Sequence, residues 1–392
     1  MPTRLSDIFY NLQATPSNQK ENKLLYADFF NIKEKTLISI HKGVLMQFFK
    51  KSFAAVFFSI FILIIQACDG CINSDGANKN GLTIDGKTFD KTSFVTVIPQ
   101  NSSVTIPNEN HPRIGNVFVW DRTITLKNYE IGQYEVTQEL YKFVMGTLPY
   151  DDSSTLYPGD NQDLRPATGM SWFDAIEFCN KLSDLCGYEK VYTLDNIKRR
   201  NENSYIDSAT VTYDFSKNGF RLPTEAEWEF AARSAGKTKE DWNFTYPGSE
   251  NYKKVAWLIL NSSGYNDDDL TIRTHQVGTR TPNSLGLYDM AGNAAEWCFD
   301  YWNCKQPGYE QTIPEGDDYQ YINPVEHPGT FNNDDGFVNT SIYKSRVVRG
   351  GYYASKAHET AVSFRFFESQ YCCAKNTSTP QKYVGFRLVR RP

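Results

Sequence analysis

Asp289 and Glu296 stand seven residues apart, with Gly292 and Ala294 in the turn between them. Calcium takes six to eight oxygens, mixing carboxylates with backbone carbonyls. Two acids on a glycine-containing turn can supply part of such a set. Read from these residues alone, a pair of solvated or salt-bridged acids is the better fit. The chain has eight cysteines, and thiolates are what soft metals such as Cu(I) prefer. Their spacing builds no obvious site. Cys179 and Cys186 fall two turns apart on a predicted helix, about 10 Å between Cα atoms, too far for a bridge. Cys179 is expected as a buried thiol. Cys298 and Cys304 share one loop region and could pair, whereas the adjacent Cys372 and Cys373 are poorly placed to bridge each other. The five histidines (41, 111, 275, 327 and 358) are scattered, with no His-x-x-x-His spacing. The third feature is the segment 352–383, which carries Tyr352, Tyr353, Ser355, His358, Phe366, Phe367, Tyr371 and Asn376. Large aromatics among small polar residues resemble the composition of an antibody paratope. This segment is expected to bind an unknown protein or glycan; the competing expectation is that the rings are half-buried loop anchors.

The elements that must position these groups are legible in part. Strand patterns run over 93–98, 117–120 and 123–126. Thr137 is a candidate N-cap for a helix that presents Leu140, Tyr141 and Val144 to one side and stops at Gly146. Ser171 with Asp174 three residues on predicts a capped helix with Trp172, Ala175, Ile176, Cys179, Leu182 and Cys186 inward, followed by Gly187. Thr224 with Glu227 predicts a third, with Trp228, Ala231 and Ala232 inward and its end at Gly236. After residue 240 the helical signals fade into loops rich in Asn, Asp, Gly and Pro. The inserts at 190–215 and 305–340 read as long surface excursions.

Composition narrows the function classes. Aromatics at 15% argue for a packed core or an adhesive surface rather than disorder. A net charge of −5 gives no reason to expect nucleic acid as a partner. Near the N-terminus, Lys50 and Lys51 precede an apolar run of 13 residues, 53–65, that ends before Cys68. The run is short for a membrane span and matches a signal-peptide core. The sequence Ile-Gln-Ala-Cys68 resembles a lipobox, which predicts lipidation at Cys68 after cleavage. The expected division is an N-terminal extension at 1–45 (with Met46 as the true start), a lipoprotein signal at 46–68, a flexible tether at 69–88 and a domain at 89–392. The exported part would then sit at the cell surface or in the periplasm, membrane-anchored by its lipid.

Five stretches in order carry a resemblance: YEIGQYEVTQELY (129–141), RPATGMSWFDAIEFCNKLS (165–183), GFRLPTEAEWEFAARSAG (219–236), PNSLGLYDMAGNAAEWCFDYW (282–302), and RVVRGGYY (346–353) through YVGFRLVRR (383–391). Together they resemble the formylglycine-generating-enzyme, or sulfatase-modifying-factor, family across nearly the whole exported chain. The resemblance implies an irregular α+β domain on a C-type-lectin-like scaffold, and a monomer. It implies one structural Ca²⁺, held by the side chains of Asp289 and Glu296 and the carbonyls of Gly292 and Ala294. The family's other calcium site has no matching Asn-Ile pair near Ala256 and Trp257 and is expected to be absent. The enzymes of the family oxidise a sulfatase cysteine with two cysteines that hold copper. The matching positions here are Ser355 and Thr360, and a hydroxyl cannot replace a thiolate on Cu(I). Cys372 and Cys373 come more than ten residues later. A related iron-dependent branch uses clustered histidines, which this chain does not have. The expectation is a non-catalytic, ligand-binding lipoprotein without copper; the alternative is a formylglycine-generating oxidase with displaced thiols. The loop at 352–383 also resembles the variable patch of diversity-generating-retroelement proteins, whose randomised Asn-type codons can yield Tyr, Phe, His, Ser or Thr.

Overall fold

In a computed structural model, the described residues are 81–106, 124–149, 159–199, 205–263, 272–301, 345–369 and 382–392. Strands β1 (Leu82–Ile84) and β2 (Lys87–Phe89) form a small hairpin. β3 (Phe94–Ile106) pairs antiparallel with β4 (Ile124–Gly132). The two patterns at 93–98 and 123–126 are therefore the opening parts of longer strands; the pattern at 117–120 lies outside the described residues.

All three capped helices form where their caps predict. α1 (Gln138–Met145) starts at Thr137, whose hydroxyl accepts from Leu140 N, and stops at Gly146 in the left-handed region. α2 (Trp172–Leu185) carries the full capping box of Ser171 and Asp174. α3 (Glu225–Ala232) carries that of Thr224 and Glu227, and a 3₁₀ turn at Ser234–Gly236 follows it. The 190–215 insert is more regular than expected. It is an antiparallel hairpin of β5 (Tyr192–Arg199) and β6 (Ile206–Tyr213), kinked where Asn196 takes a positive φ. Two short helices, α4 (Lys239–Asn243) and α5 (Tyr252–Val255), interrupt the loops beyond residue 240.

The remaining strands are β7 (Ala295–Tyr301), β8 (Ser345–Arg349), β9 (Phe366–Ser369), β10 (Val384–Gly385) and β11 (Val389–Arg390). One sheet runs β10-β7-β8-β9, with β10 parallel to β7, and another runs β11-β4-β3. The chain's last residues thus join both sheets, and Arg387 lies between the two joins. β7 is buried along nearly its whole length, which fits a strand covered on both faces. One side of the core gathers around α2 with Trp172, Phe178, Trp297 and Phe386. The other gathers around α3 with Trp228, Tyr129, Val347 and Val389. This mix of short helices and small sheets is the expected α+β class.

Four of the buried charges in this core form one paired set around α3 with Arg349. Arg349 on β8 reaches Glu229 at 2.6 Å and Glu225 at 3.4 Å, both on α3. Arg365 also binds Glu225, and Arg233 binds Glu229 at 2.9 Å. Buried charges persist only when paired and hydrogen-bonded in this way. Cys179 and Cys298 are buried free thiols, and burial raises the pKa of both. Cys298, which by spacing could pair with Cys304, is thus a free thiol on β7 rather than a loop cysteine. Its strand position, enclosed on both faces, turns it into the core instead. Cys304 and the 305–340 insert lie outside the described residues.

Candidate functional site: the acidic turn and the loop it carries

The 289–294 turn is built from left-handed backbone. Asp289, Gly292 and Asn293 have φ of 54°, 72° and 61°. Gly292 N donates to Gly350 O at 2.8 Å, and Asn293 N donates to Trp257 O at 2.8 Å. Asn293 is fully buried and works as a hub. Its Nδ2 donates to Glu135 at 2.7 Å, its Oδ1 accepts from His275 N at 2.8 Å, and its carbonyl accepts from Tyr353 N at 3.0 Å. Ala294 N also donates to Glu135, at 2.8 Å. The turn therefore holds the start of the C-terminal loop directly. Glu135 and Asn293 were not singled out from sequence. Both lie in stretches that carry the family resemblance, and a glutamate between Tyr134 and Val136 is a signal of a buried, hydrogen-bonded carboxyl.

The two expected side-chain ligands have different surroundings. Glu296 is gripped by Arg387, at 2.6 and 2.7 Å, and accepts from Trp228 Nε1 at 2.7 Å. The salt-bridged reading of the acids thus describes Glu296. Asp289 Oδ2 accepts from Gly278 N at 2.6 Å, while its Oδ1 is buried with no hydrogen-bond partner among the described residues. Among the described residues no group of three His, Cys, Asp or Glu side chains is placed to hold a metal. An ion at this turn would therefore take its side-chain charge from Asp289 and lean on carbonyl oxygens.

Burial pushes the Asp289 carboxyl up to about 6, the neighbouring Glu296 adds to this, and Gly278 N and Arg387 oppose it. The sign follows from linkage. A carboxyl whose folded pKa lies above its unfolded value of about 3.9 binds protons more tightly when folded. Its contribution favours folding below about pH 4 and is lost as pH rises to about 6. In chelator, Asp289→Asn is expected to gain roughly 2 kcal/mol relative to wild type between pH 4 and pH 7, because each tenfold difference in proton affinity between folded and unfolded chain is worth about 1.4 kcal/mol and part of the shift is already lost at pH 4. Urea melts at the two pH values test this. A constant difference between the two proteins would overturn it.

The loop after Gly351 is anchored by the hydroxyls of Ser355 and Thr360, the positions that the resemblance matches to the enzymes' cysteines. Ser355 is buried; its Oγ accepts from Tyr352 N at 3.1 Å and its carbonyl accepts from Ile259 N at 3.1 Å. Thr360 is buried and donates to Ala357 O at 2.8 Å, closing the 3₁₀ turn Ala357–Thr360. Ser355, expected among the ligand-binding residues, therefore serves the loop's own frame. Its short side chain bonds within the turn that it closes.

The aromatics of the loop are neither fully free nor fully buried. Tyr352 stacks on Tyr383 at 4.2 Å and packs against the core, with Tyr353 edge-on to it at 5.5 Å. His358 meets the edge of Phe364, and Phe364 contacts Phe366 at 5.8 Å. Tyr352, Tyr353, His358, Phe364 and Phe366 all remain half-exposed. The rings are thus half-buried loop anchors, with one side of each left exposed. Phe367 pairs with Val347 in the β8–β9 ladder. Cys68, Tyr371, Cys372, Cys373 and Asn376 lie outside the described residues.

A second support lies behind the loop. His275 stacks on Trp257 at 3.7 Å, and its ring nitrogens face Asp160 at 3.1 Å and Ser262 O at 3.3 Å. Arg280 covers the Trp257 ring at 3.5 Å. Ser262 Oγ donates to Tyr353 O at 2.6 Å. His275 is fully buried, so this arrangement is a clamp rather than an open catalytic dyad.

Residues 92–392 match the model of the sulfatase-modifying factor enzyme 1-like domain. The chain belongs to this family. A chaperone protein, LppX, from Paenibacillus barcinonensis is 37% identical over 232 residues, covering 54% of this chain and 77% of the relative. The formylglycine-generating enzyme of Bos taurus is 34% identical over 176 residues, which span 44% of this chain and 39% of that enzyme. Among solved structures, Treponema denticola variable protein 1 superposes with a TM-score of 0.53 at 30% identity, covering 77% of this chain and 95% of that one. Sulfatase-modifying-factor domains thus include enzymes and proteins named for other roles, and residues rather than fold must separate them.

Proposed function

We propose that this protein is an exported lipoprotein whose sulfatase-modifying-factor domain binds a protein ligand through its C-terminal loop and carries no oxidase activity. The observation that carries the reading is the pair Ser355 and Thr360. Both hydroxyls are buried and committed to hydrogen bonds inside the loop, where the family's enzymes would present thiolates. A half-exposed aromatic surface on a fixed frame offers contact area at low entropy cost. The similarity to a protein named a chaperone and to one named a variable protein supports binding over chemistry. Lipidation at Cys68 would tether this surface near a membrane. A calcium ion at the Asp289 turn, held with the carbonyls of Gly292 and Ala294, would stiffen the turn that carries Tyr353.

The test is direct. The purified protein is incubated with a Cys-x-Pro-x-Arg peptide, oxygen, reductant and Cu(I), beside an active enzyme. We expect no aldehyde in the peptide by mass spectrometry, and conversion would overturn the reading. In parallel, protein and glycan arrays are screened with wild type and with Tyr353→Ala and His358→Ala. Any ligand of the loop is expected to weaken by at least about tenfold, or about 1.4 kcal/mol. Binding unchanged in both variants would move the site elsewhere.

A further inference from the structure

The β5–β6 hairpin is pinned at three points. Ile206 N donates to Asp174 Oδ1 at 2.9 Å, Arg199 Nη2 donates to Glu177 Oε1 at 2.5 Å, and Tyr205 Oη donates to Pro149 O. These contacts border a cavity of about 630 Å³. Small-molecule sites span roughly 300–1,000 Å³. Met145, Leu148 and Pro149 wall it from the end of α1 and the turn that follows. Glu177 and Lys181 wall it from α2, and Arg199 and Tyr205 from the hairpin. Asp174, Glu177 and Lys181 stand three and four residues apart, so one face of α2 meets the cavity. None of the described residues of 352–383 lines it.

The two acids of this face have different tasks. Asp174 belongs to the frame, since one oxygen accepts from Ser171 N and Oγ and the other from Ile206 N. Glu177 is only half engaged. Its Oε1 takes Arg199, and Lys181 Nζ stands 3.6 Å from the same oxygen. Its Oε2 is buried and has no hydrogen-bond partner among the described residues. A buried acceptor is costly to leave unmet. The walls therefore offer one unmet acceptor beside an ammonium with three N–H donors, together with the aliphatic surface of Met145 and Leu148.

We propose that this cavity is a binding site for a neutral sugar, with Glu177 Oε2 accepting from one hydroxyl and Lys181 donating to that hydroxyl or its neighbour. A group set against Glu177 must donate to Oε2 and accept from Lys181. An ammonium donates but cannot accept, and Arg199 and Lys181 already balance the glutamate. A carboxylate or phosphate accepts but cannot donate, and it would meet the charge of Glu177. A hydroxyl does both at a single atom. Several hydroxyls on a compact carbon frame also bring C–H surface to Met145 and Leu148, the mix of apolar wall and few polar groups that orients a small ligand. The site does not depend on what the C-terminal loop binds.

The experiment titrates the full chain with glucose, galactose, mannose, maltose and lactose. Binding is read by saturation-transfer NMR and by the rise in denaturation midpoint that any ligand of the folded state produces. Putrescine, succinate and acetamide serve as controls for an ammonium, a carboxylate and an amide. We expect at least one sugar to bind at millimolar concentration and none of the three controls to displace it. Glu177→Ala and Lys181→Met should each weaken that sugar by at least about fivefold, the scale of one or two hydrogen bonds. Glu177→Ala also releases Arg199, so circular dichroism checks its fold. Leu148→Trp narrows the cavity from the other side of the ion pair's helix and leaves the pair itself intact; it should abolish binding. Tyr353→Ala should leave binding unchanged. No binding by any of the five sugars overturns the proposal. So does a control that displaces the sugar, or binding that survives both Lys181→Met and Leu148→Trp. A loss in Tyr353→Ala alone would place the sugar on the C-terminal loop and also overturn it.

Discussion

Arg387→Met is expected to cost about 3–5 kcal/mol, the scale for breaking a buried ion pair from one side. Arg387 is fully buried between β10 and β11. Its guanidinium binds both oxygens of Glu296 and also donates to Gly132 O and Tyr288 O, each at 2.9 Å. Glu135 and Asp289 stand close enough for each other's charge, and that of Glu296, to matter. Removing the single guanidinium leaves those buried acids facing one another with little screening. Methionine fills much of the volume, so the loss would come from charge and hydrogen bonds rather than a cavity. The comparison is a urea melt of Arg387→Met, with Arg387→Met/Glu296→Gln beside it. The double variant should recover part of the loss, because neutralising Glu296 relieves the orphaned charge. A loss below about 1 kcal/mol in the single variant would show that the acids are held by something else.

That arginine marks the limit of what the sequence allowed to be read. The helices were legible because their signals are local. Thr137, Ser171 with Asp174, and Thr224 with Glu227 each bond within three residues, so type and spacing carry the information. The core face of α2 followed from its period. The acid pair was legible as oxygen donors, but the partner that claims Glu296 lies 91 residues away. Asn293 finds Glu135 across 158 residues, and Arg365 finds Glu225 across 140. Nothing local encodes such pairs; only the apolar setting of Glu135 and Arg387 hints that each must be neutralised. The β5–β6 hairpin was missed because Asp195, Asn196 and Lys198 break the alternation that marks a strand. The hydroxyls at 355 and 360 were legible through the resemblance alone. Their burial and their bonds within the loop came only with the fold.

Gly292→Ala should be nearly as damaging, at about 3–4 kcal/mol, for a reason unrelated to charge. Gly292 has a φ of 72°, where an L side chain costs about 1–2 kcal/mol. The added methyl would also lie 1.9 Å from Trp257 O and 2.7 Å from Trp257 C. These are backbone atoms of a bridge that Gly292 itself makes with Trp257, so no rotamer change can relieve the contact. The chain must move, and overpacking of this kind adds roughly 1–3 kcal/mol. The movement would be felt at the loop. Asn293 N binds Trp257 O, and Asn293 O holds Tyr353 N. Gly286→Ala is the matched control. It also has a positive φ, 87°, but its nearest neighbour to an added methyl is the flexible Gln133 side chain at 3.6 Å. It should therefore show the backbone cost without the clash. Denaturation midpoints would be measured with protection of Tyr353 N from hydrogen exchange. If Gly292→Ala matched Gly286→Ala in both, the close approach to Trp257 would not be what requires glycine, and the turn would be free to shift without loosening the loop.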